Sequence, residues 1–399
     1  MALSQRIFKL KGVVQHYSWG GYDFIPQLLN IENKDRKPCA EYWMGAHHNH
    51  PASIVNDDEI RLNDFIADQL SQVLGKLVAE KFSSLPYLFK VLDVRQMLSI
   101  QVHPSKQSAG KAFDEENKNG IPVNAPNRNY KDKNHKPELM VALSDFWLLH
   151  GFKNEDALVA ILEKNDELLF LKEIFQQKGY KGLYEEVMLM EQSGVDSILK
   201  PLVQKIVPGY KNGSLQKESE DFWAARAAVE FCKNEHYDRG IFSIYLFNLV
   251  HLKKGQGIFQ PAGLPHAYLE GQNVEVMANS DNVLRAGLTD KHIDVPELLK
   301  HVRFEATIPK ILEPVSKHKT FASPAEEFEI QQYRLDANEK LEIQTNTAET
   351  FLILNGSLQV NSGTRQQEFK RGEVFFVIAE TMFSIKALSE VNLFRVTVP

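Results

Sequence analysis

The chain has 399 residues, 43% hydrophobic and 25% charged, with 46 Lys and Arg against 52 Asp and Glu and a formal charge of −6. That length and apolar content can bury a large core shared among two or three domains. The near-balance of charge excludes a general affinity for nucleic acid but leaves room for a local basic pocket and an anionic substrate. With only Cys39 and Cys232 present, a disulfide framework is excluded and a reducing, cytoplasmic setting is expected.

The opening residues intersperse charge among apolar side chains and lack the apolar run of a secretory signal. From Phe8 to about Leu149 short apolar runs broken by turns predict mostly β structure. Within it, Leu62, Phe65, Ile66, Leu70, Val73, Leu74 and Leu77 follow helical spacing and predict a helix over 62–77. In Leu98-Ser-Ile-Gln-Val-His-Pro, Gln101 and His103 lie two apart, so a strand would point both to one face. That pair reads either as a satisfied core histidine with its neighbour or as half of a metal site. Residues 114–133, rich in Asn, Lys and Pro, predict a long exposed loop. Lys136 and Glu138 follow, again two apart, and Pro137 between them favours extended backbone. Gln, His and Glu, with a second His from Pro265-His266-Ala-Tyr, form a donor set suited to Zn²⁺. His47, His48 and His50, beside Asn49 and Pro51, read as a polar loop rather than a second metal site.

Helical periodicity over 152–239 predicts an all-helical insertion, with Leu168, Leu171 and Phe175 on one stripe and Phe222, Ala225, Arg226, Val229 and Cys232 on another. Ile241 to Leu252, too short to cross a bilayer, reads as a buried strand and implies no membrane association. Lys253-Lys-Gly255 is a turn before a strand at 258–260. Lys370-Arg-Gly372 introduces a later strand in the same way, and aligning the two glycines puts Met382 or Phe383 where the first copy has His266. Short strands joined by Gly turns suggest a jelly-roll or cupin barrel occurring twice, the second without metal. The expected architecture is mainly β with a helical insertion: a first cupin unit over 1–151 and 240–316, helices over 152–239, and a metal-free cupin unit over 317–399.

Four separated motifs, Leu98-Ser-Ile-Gln-Val-His-Pro, Tyr130-Lys-Asp-Lys-Asn-His-Lys-Pro-Glu, Pro261-Ala-Gly-Leu-Pro-His-Ala-Tyr and Asn279-Ser-Asp-Asn-Val-Leu-Arg-Ala-Gly-Leu, closely resemble the type I phosphomannose isomerases. Trp19 in Tyr-Ser-Trp-Gly and Glu41 in Ala-Glu-Tyr-Trp-Met-Gly share the resemblance, which covers most of the chain. It implies one Zn²⁺ per chain held by Gln101, His103, Glu138 and His266, and a catalytic role for Arg285. Lys90, His135, Lys136, Asp281 and Lys291 fall on pocket positions of the family. Ser105 stands where the family more often has Asp or Asn. The implied reaction interconverts mannose 6-phosphate and fructose 6-phosphate in the cytoplasm, upstream of GDP-mannose.

That chemistry requires removal of the C2 proton, an enediol and return of the proton to C1. Candidates for the proton shuttle are Lys136 first, then His135 and Asp281, with Glu138 disfavoured as a metal ligand. Lys136 as a phosphate or structural contact stands as the alternative. No Gly-rich phosphate loop occurs, so Arg285 and Lys291, with Ser105 and Lys106 behind them, are the expected phosphate contacts. Lys90, in an apolar strand, is expected to reach the pocket. Two other classes share this barrel type: an iron-dependent cupin oxygenase, disfavoured by Gln101 and the basic residues, and a silent sugar-phosphate-binding cupin. The sequence leaves oligomeric state open and is compatible with a monomer.

Overall fold

The computed structural model describes residues 4–55, 59–313 and 317–399. Among the described residues, antiparallel sheets of ten, eight and four strands accompany a helical segment. At the centre of the largest sheet, Tyr87–Val94 pairs with His266–Ala278 on one side and Glu41–Gly45 on the other. Every residue of Tyr87–Val94 is buried, which a strand covered on both faces requires. Period-two alternation then divides the side chains: Phe89, Val91, Val274 and Val276 enter a core shared with Phe321, Phe328, Ile330, Leu352 and Val374 of the last segment. Lys90 and Glu275, directly opposite in register, point the other way.

Sheet pairing crosses the division drawn on the sequence at residue 317. Ile7–Lys11 pairs with Val374–Val377 and with Ser53–Ile54, so the first strand belongs to the eight-stranded sheet built mainly from the last segment. The four-stranded sheet, from Lys340–Gln344, Ser357–Ser362, Arg365–Lys370 and Met382–Ala387, closes a separate core containing Ile343, Leu358 and Phe383. The paired turn glycines both adopt positive φ, +92° at Gly255 and +81° at Gly372, a conformation that favours glycine. Of the two positions aligned with His266, Phe383 enters the core and Met382 is exposed.

The helical segment comprises Glu155–Lys164, Leu169–Leu189, Gln192–Lys211 and Glu220–Phe231. Leu168, Leu171 and Phe175 are buried as their stripe requires. Of the second stripe, Ala225 and Arg226 are buried and Phe222 and Cys232 pack against the same core, whereas Val229 is exposed and Trp223, Ala224 and Ala227 are buried beside them. Buried Arg226 anchors this helix, donating to Glu230, to Glu270 and to the carbonyl of Arg95.

Three expectations change. The helix over 62–77 is three short ones, Leu62–Asp68, Leu70–Leu74 and Lys76–Phe82, interrupted at Gln69 and at Gly75, whose φ is +86°. Leu77, assigned to the apolar stripe, is 80% exposed. The apolar run from Ile241 is helical over Gly240–Leu246 and becomes a strand only at Phe247–Leu252. Burial on all sides leaves such a run no periodicity from which to tell helix from strand. The excursion over 114–133 begins as helix: Lys106–Lys118 buries only Ala109, so its strongly polar sequence offers no apolar stripe from which to read a helix.

Candidate metal centre

The site is assembled where strand register brings distant residues side by side. His266 pairs with Gln101, and Arg285 pairs with Gln101 from the other side, so three expected site residues occupy adjacent rungs. Glu138 begins the strand Glu138–Ala142, which also pairs with His266–Ala278. Its Oε2 lies 3.2 Å from His266 Nε2 and its Oε1 3.5 Å from His103 Nε2. His103, Glu138 and His266 are all at most 4% exposed, and their ligating atoms lie within 4.8 Å of one another.

The two imidazoles are oriented for a cation. His103 Nδ1 donates to Asn282 O at 2.8 Å and His266 Nδ1 to Leu264 O at 2.9 Å. A carbonyl accepts only, so both rings carry a hydrogen on Nδ1 and turn Nε2 inward toward Glu138. His103 Nε2 is buried without a hydrogen-bond partner, an arrangement that costs stability unless something accepts the lone pair. Burial pulls the His103 imidazole down to about 4. For Glu138, burial alone would raise the carboxyl, but Lys136 and His103 hold it well below the usual range. A neutral His103 imidazole and an anionic Glu138 carboxylate are protonation states that a divalent metal requires.

Charged residues surround this cluster. Lys136 Nζ is 3.0 Å from Glu138 Oε1. Lys90 Nζ lies between Glu41 Oε2 at 3.4 Å and Glu275 Oε2 at 3.3 Å. Tyr268 OH donates to Glu275 Oε1 at 2.7 Å, and Trp43 Nε1 donates to Glu41 at 2.5 Å. Burial and the neighbouring Glu138 push the Glu275 carboxyl up. Asp281 accepts from His47 Nε2 at 3.2 Å; burial would raise its carboxyl, but His47 holds it down to about 2.

A cavity of about 390 Å³ opens beside the cluster, lined by Tyr17, Trp19, Glu41, Gln101, Arg285 and Lys291. Glu230 and Phe231, from the end of the helix Glu220–Phe231, line it too. Among the described residues the half-buried Arg285 guanidinium has no anionic partner, and burial lowers its pKa, as burial together with Arg285 lowers that of Lys291. Among the described residues neither Arg285 nor Lys291 has an ion-pair partner, although Glu41, Glu230 and Asp290 line the same cavity, and two such cations at a cavity wall suit an anion.

Other expected residues are placed elsewhere. Ser105 caps the helix Lys106–Lys118, its Oγ accepting from Ser108 N, and Lys106 turns toward Glu327. His135 points away from its neighbour Lys136, with Nε2 2.7 Å from Glu327 Oε1. His47, read as part of a polar loop, is 2% exposed and gathers with His48 and Asp281. Asn49 N donates to His47 Nδ1, which leaves the ring hydrogen on Nε2 facing Asp281 and makes this a hydrogen-bonded pair. Sequence reasoning missed Glu275, Glu327 and this role of His47. Glu275 carried a signal, as a carboxylate within the apolar strand Val274-Glu-Val-Met.

Comparison with known proteins gives one family. A model of the phosphomannose isomerase type I catalytic domain matches residues 7–155. Mannose-6-phosphate isomerase of Escherichia coli is 37% identical over 384 residues, covering 93% of this chain and 94% of that protein. The Homo sapiens mannose-6-phosphate isomerase is 31% identical over 418 residues, covering 96% and 95%. Among solved structures, mannose 6-phosphate isomerase from Salmonella typhimurium bound to its substrate fructose 6-phosphate and zinc superposes with a TM-score of 0.87 at 33% identity, covering 99% of this chain and 100% of that one. With relatives of this identity spanning nearly its whole length, the chain belongs to the type I phosphomannose isomerase family.

Proposed function

We propose that this protein is a zinc-dependent aldose-ketose isomerase that interconverts mannose 6-phosphate and fructose 6-phosphate in the cytoplasm, with one Zn²⁺ per chain. The observation that carries the reading is the juxtaposition of an inward-facing His103, Glu138 and His266 cluster with the unpaired cations Arg285 and Lys291. Gln101, His103, Glu138 and His266 would hold the metal, which when bound supplies Lewis-acid polarisation of the sugar's oxygens.

The chain's own groups do the rest. Arg285, one rung from Gln101, offers forked donors to the negative charge that develops as the C2 proton leaves, and Lys291 adds a point charge for the phosphate. Lys136 is the group assigned to move the proton between C2 and C1: its Nζ lies 3.0 Å from Glu138 Oε1, and it takes the C2 proton only after giving up one of its own, as the free amine. Asp281, paired with His47, is the alternative proton carrier, and Trp19 and Glu41 bound the sugar at the cavity wall. Residues 1–151 and 240–316, which carry the ten-stranded sheet and lend Ile7–Lys11, Ser53–Ile54 and Ile60–Arg61 to the eight-stranded one, are read as a metal-binding cupin unit, 152–239 as a helical unit shaping its mouth, and 317–399 as a metal-free cupin unit. Among the described residues no helix is long and apolar enough to cross a membrane.

The test is fructose 6-phosphate formation from mannose 6-phosphate by wild type, Arg285→Ala and Lys136→Met proteins of matched zinc content. Turnover by the wild type and a loss on the order of 10²-fold or more in each variant are expected. A folded, zinc-loaded wild type without turnover would overturn the assignment.

A further inference from the structure

The segment 131–136 carries Lys136 and is held from one side by the loop that orients His103. Asn282 Nδ2 donates to the carbonyls of Asp132 and Asn134 at 2.9 and 2.8 Å, and Lys131 N donates to Asn282 Oδ1 at 2.7 Å. On its other side stands Glu327, which comes from the turn between His318–Phe321 and Glu329–Leu335 in the C-terminal segment. Glu327 is 2% exposed, and His135 Nε2 lies 2.7 Å from its Oε1, a contact spanning 192 residues of chain. Lys106 Nζ approaches the same oxygen at 3.7 Å. The other oxygen, Oε2, is buried without a hydrogen-bond partner.

A buried carboxylate with one oxygen unpartnered costs stability, so holding the fold together does not explain it. Two details indicate placement instead. His135 and Lys136 are adjacent in a segment that lies between the Asn282 contacts and the strand beginning at Glu138, so fixing the imidazole restrains the backbone from which the next side chain leaves. His135 also keeps the Glu327 carboxyl ionised: burial would raise it, but His135 and Lys106 hold it below its usual value.

We propose that Glu327 is a positioning residue of the active site, by which the C-terminal β unit clamps His135 and so aims Lys136 at the reacting carbons. This gives the metal-free unit a part in catalysis beyond support. The inference rests on the isomerase reading above, because it assigns Lys136 to the reacting atoms.

The experiment compares Glu327→Ala, Glu327→Gln and, as a control at an exposed neighbour, Glu326→Gln. It measures kcat and KM for mannose 6-phosphate, zinc content, thermal midpoint and the imidazole ¹⁵N signals of His135. Expected are a kcat reduced about tenfold or more in Glu327→Ala with KM within about twofold, unchanged zinc, and partial recovery in Glu327→Gln, which keeps an acceptor. Relative to wild type, the His135 signals should move in both Glu327 variants and stay in place in the control. Unchanged kcat in a folded, zinc-loaded Glu327→Ala would overturn the proposal. So would losses of kcat, zinc and midpoint together with no recovery in Glu327→Gln, which mark a merely structural role. An inactive wild type would instead break the isomerase reading, while the ¹⁵N signals still report whether the clamp exists.

Discussion

Lys90→Met removes an ammonium that stands between two buried carboxylates. Lys90, Glu41 and Glu275 are 5%, 7% and 2% exposed, and the two oxygens lie 3.4 and 3.3 Å from Nζ. Breaking a buried ion pair by removing one partner costs about 3–5 kcal/mol. Trp43 and Tyr268 still donate to the stranded carboxylates, so the remaining relief is protonation of Glu275, which burial and Glu138 have already pushed up. A carboxyl raised in the folded state binds its proton more tightly there than in the unfolded chain. Its presence therefore makes stability fall as pH rises from the unfolded value through the folded one. The substitution extends that window upward, and one proton retained over about three pH units is worth at most about 4 kcal/mol. Urea unfolding of Lys90→Met against wild type should therefore show a loss of about 3–5 kcal/mol near pH 8, shrinking to about 1–2 near pH 5. A loss that is the same at both pH values, or under about 1 kcal/mol at pH 8, would refute the reasoning.

Three further substitutions probe separate parts of the account. His103→Ala should reduce bound zinc from about one ion per chain to well under half after dialysis, by elemental analysis; full retention would remove His103 from the metal set. Asp281→Asn should cost on the order of 1 kcal/mol near pH 7 and only a small fraction of that near pH 2, because a depressed carboxylate stabilises above its unfolded pKa and loses that effect as pH falls through the folded one, here about 2. Thermal midpoints at the two pH values measure this, and an equal loss at both would contradict it. Arg226→Met strips three anchoring contacts from the helix Glu220–Phe231 and should lower unfolding stability by about 3 kcal/mol while speeding proteolysis of the helical segment.

The gathering of His103, Glu138 and His266 was legible only in part: alternation, a local property, groups Gln101 with His103 and Lys136 with Glu138, but the strands cover only Gln101–Val102 and Glu138–Ala142, and the arrival of His266 depends on sheet pairing. Glu327 was not legible, because its contact with His135 depends on how two sheets pack across 192 residues. Glu275 lay between. A carboxylate between Val274 and Val276 is a local signal, but only the covering of both faces of the strand turns it inward beside Lys90. Propensity failed where burial is uniform, as at Gly240–Leu246, or nearly absent, as at Lys106–Lys118. The pairing of Ile7–Lys11 with Val374–Val377 was likewise beyond a reading in chain order, since register between strands so far apart is set by the assembled core.

The central claim is that isomerisation depends on a metal held beside an unpaired cationic wall. It is tested most directly by a coupled assay for fructose 6-phosphate from mannose 6-phosphate, run on metal-loaded protein, chelated protein, and chelated protein with Zn²⁺ restored. Activity should disappear on chelation and return with zinc. Full activity in protein verified to be metal-free, or none in folded protein carrying one zinc per chain, would contradict it.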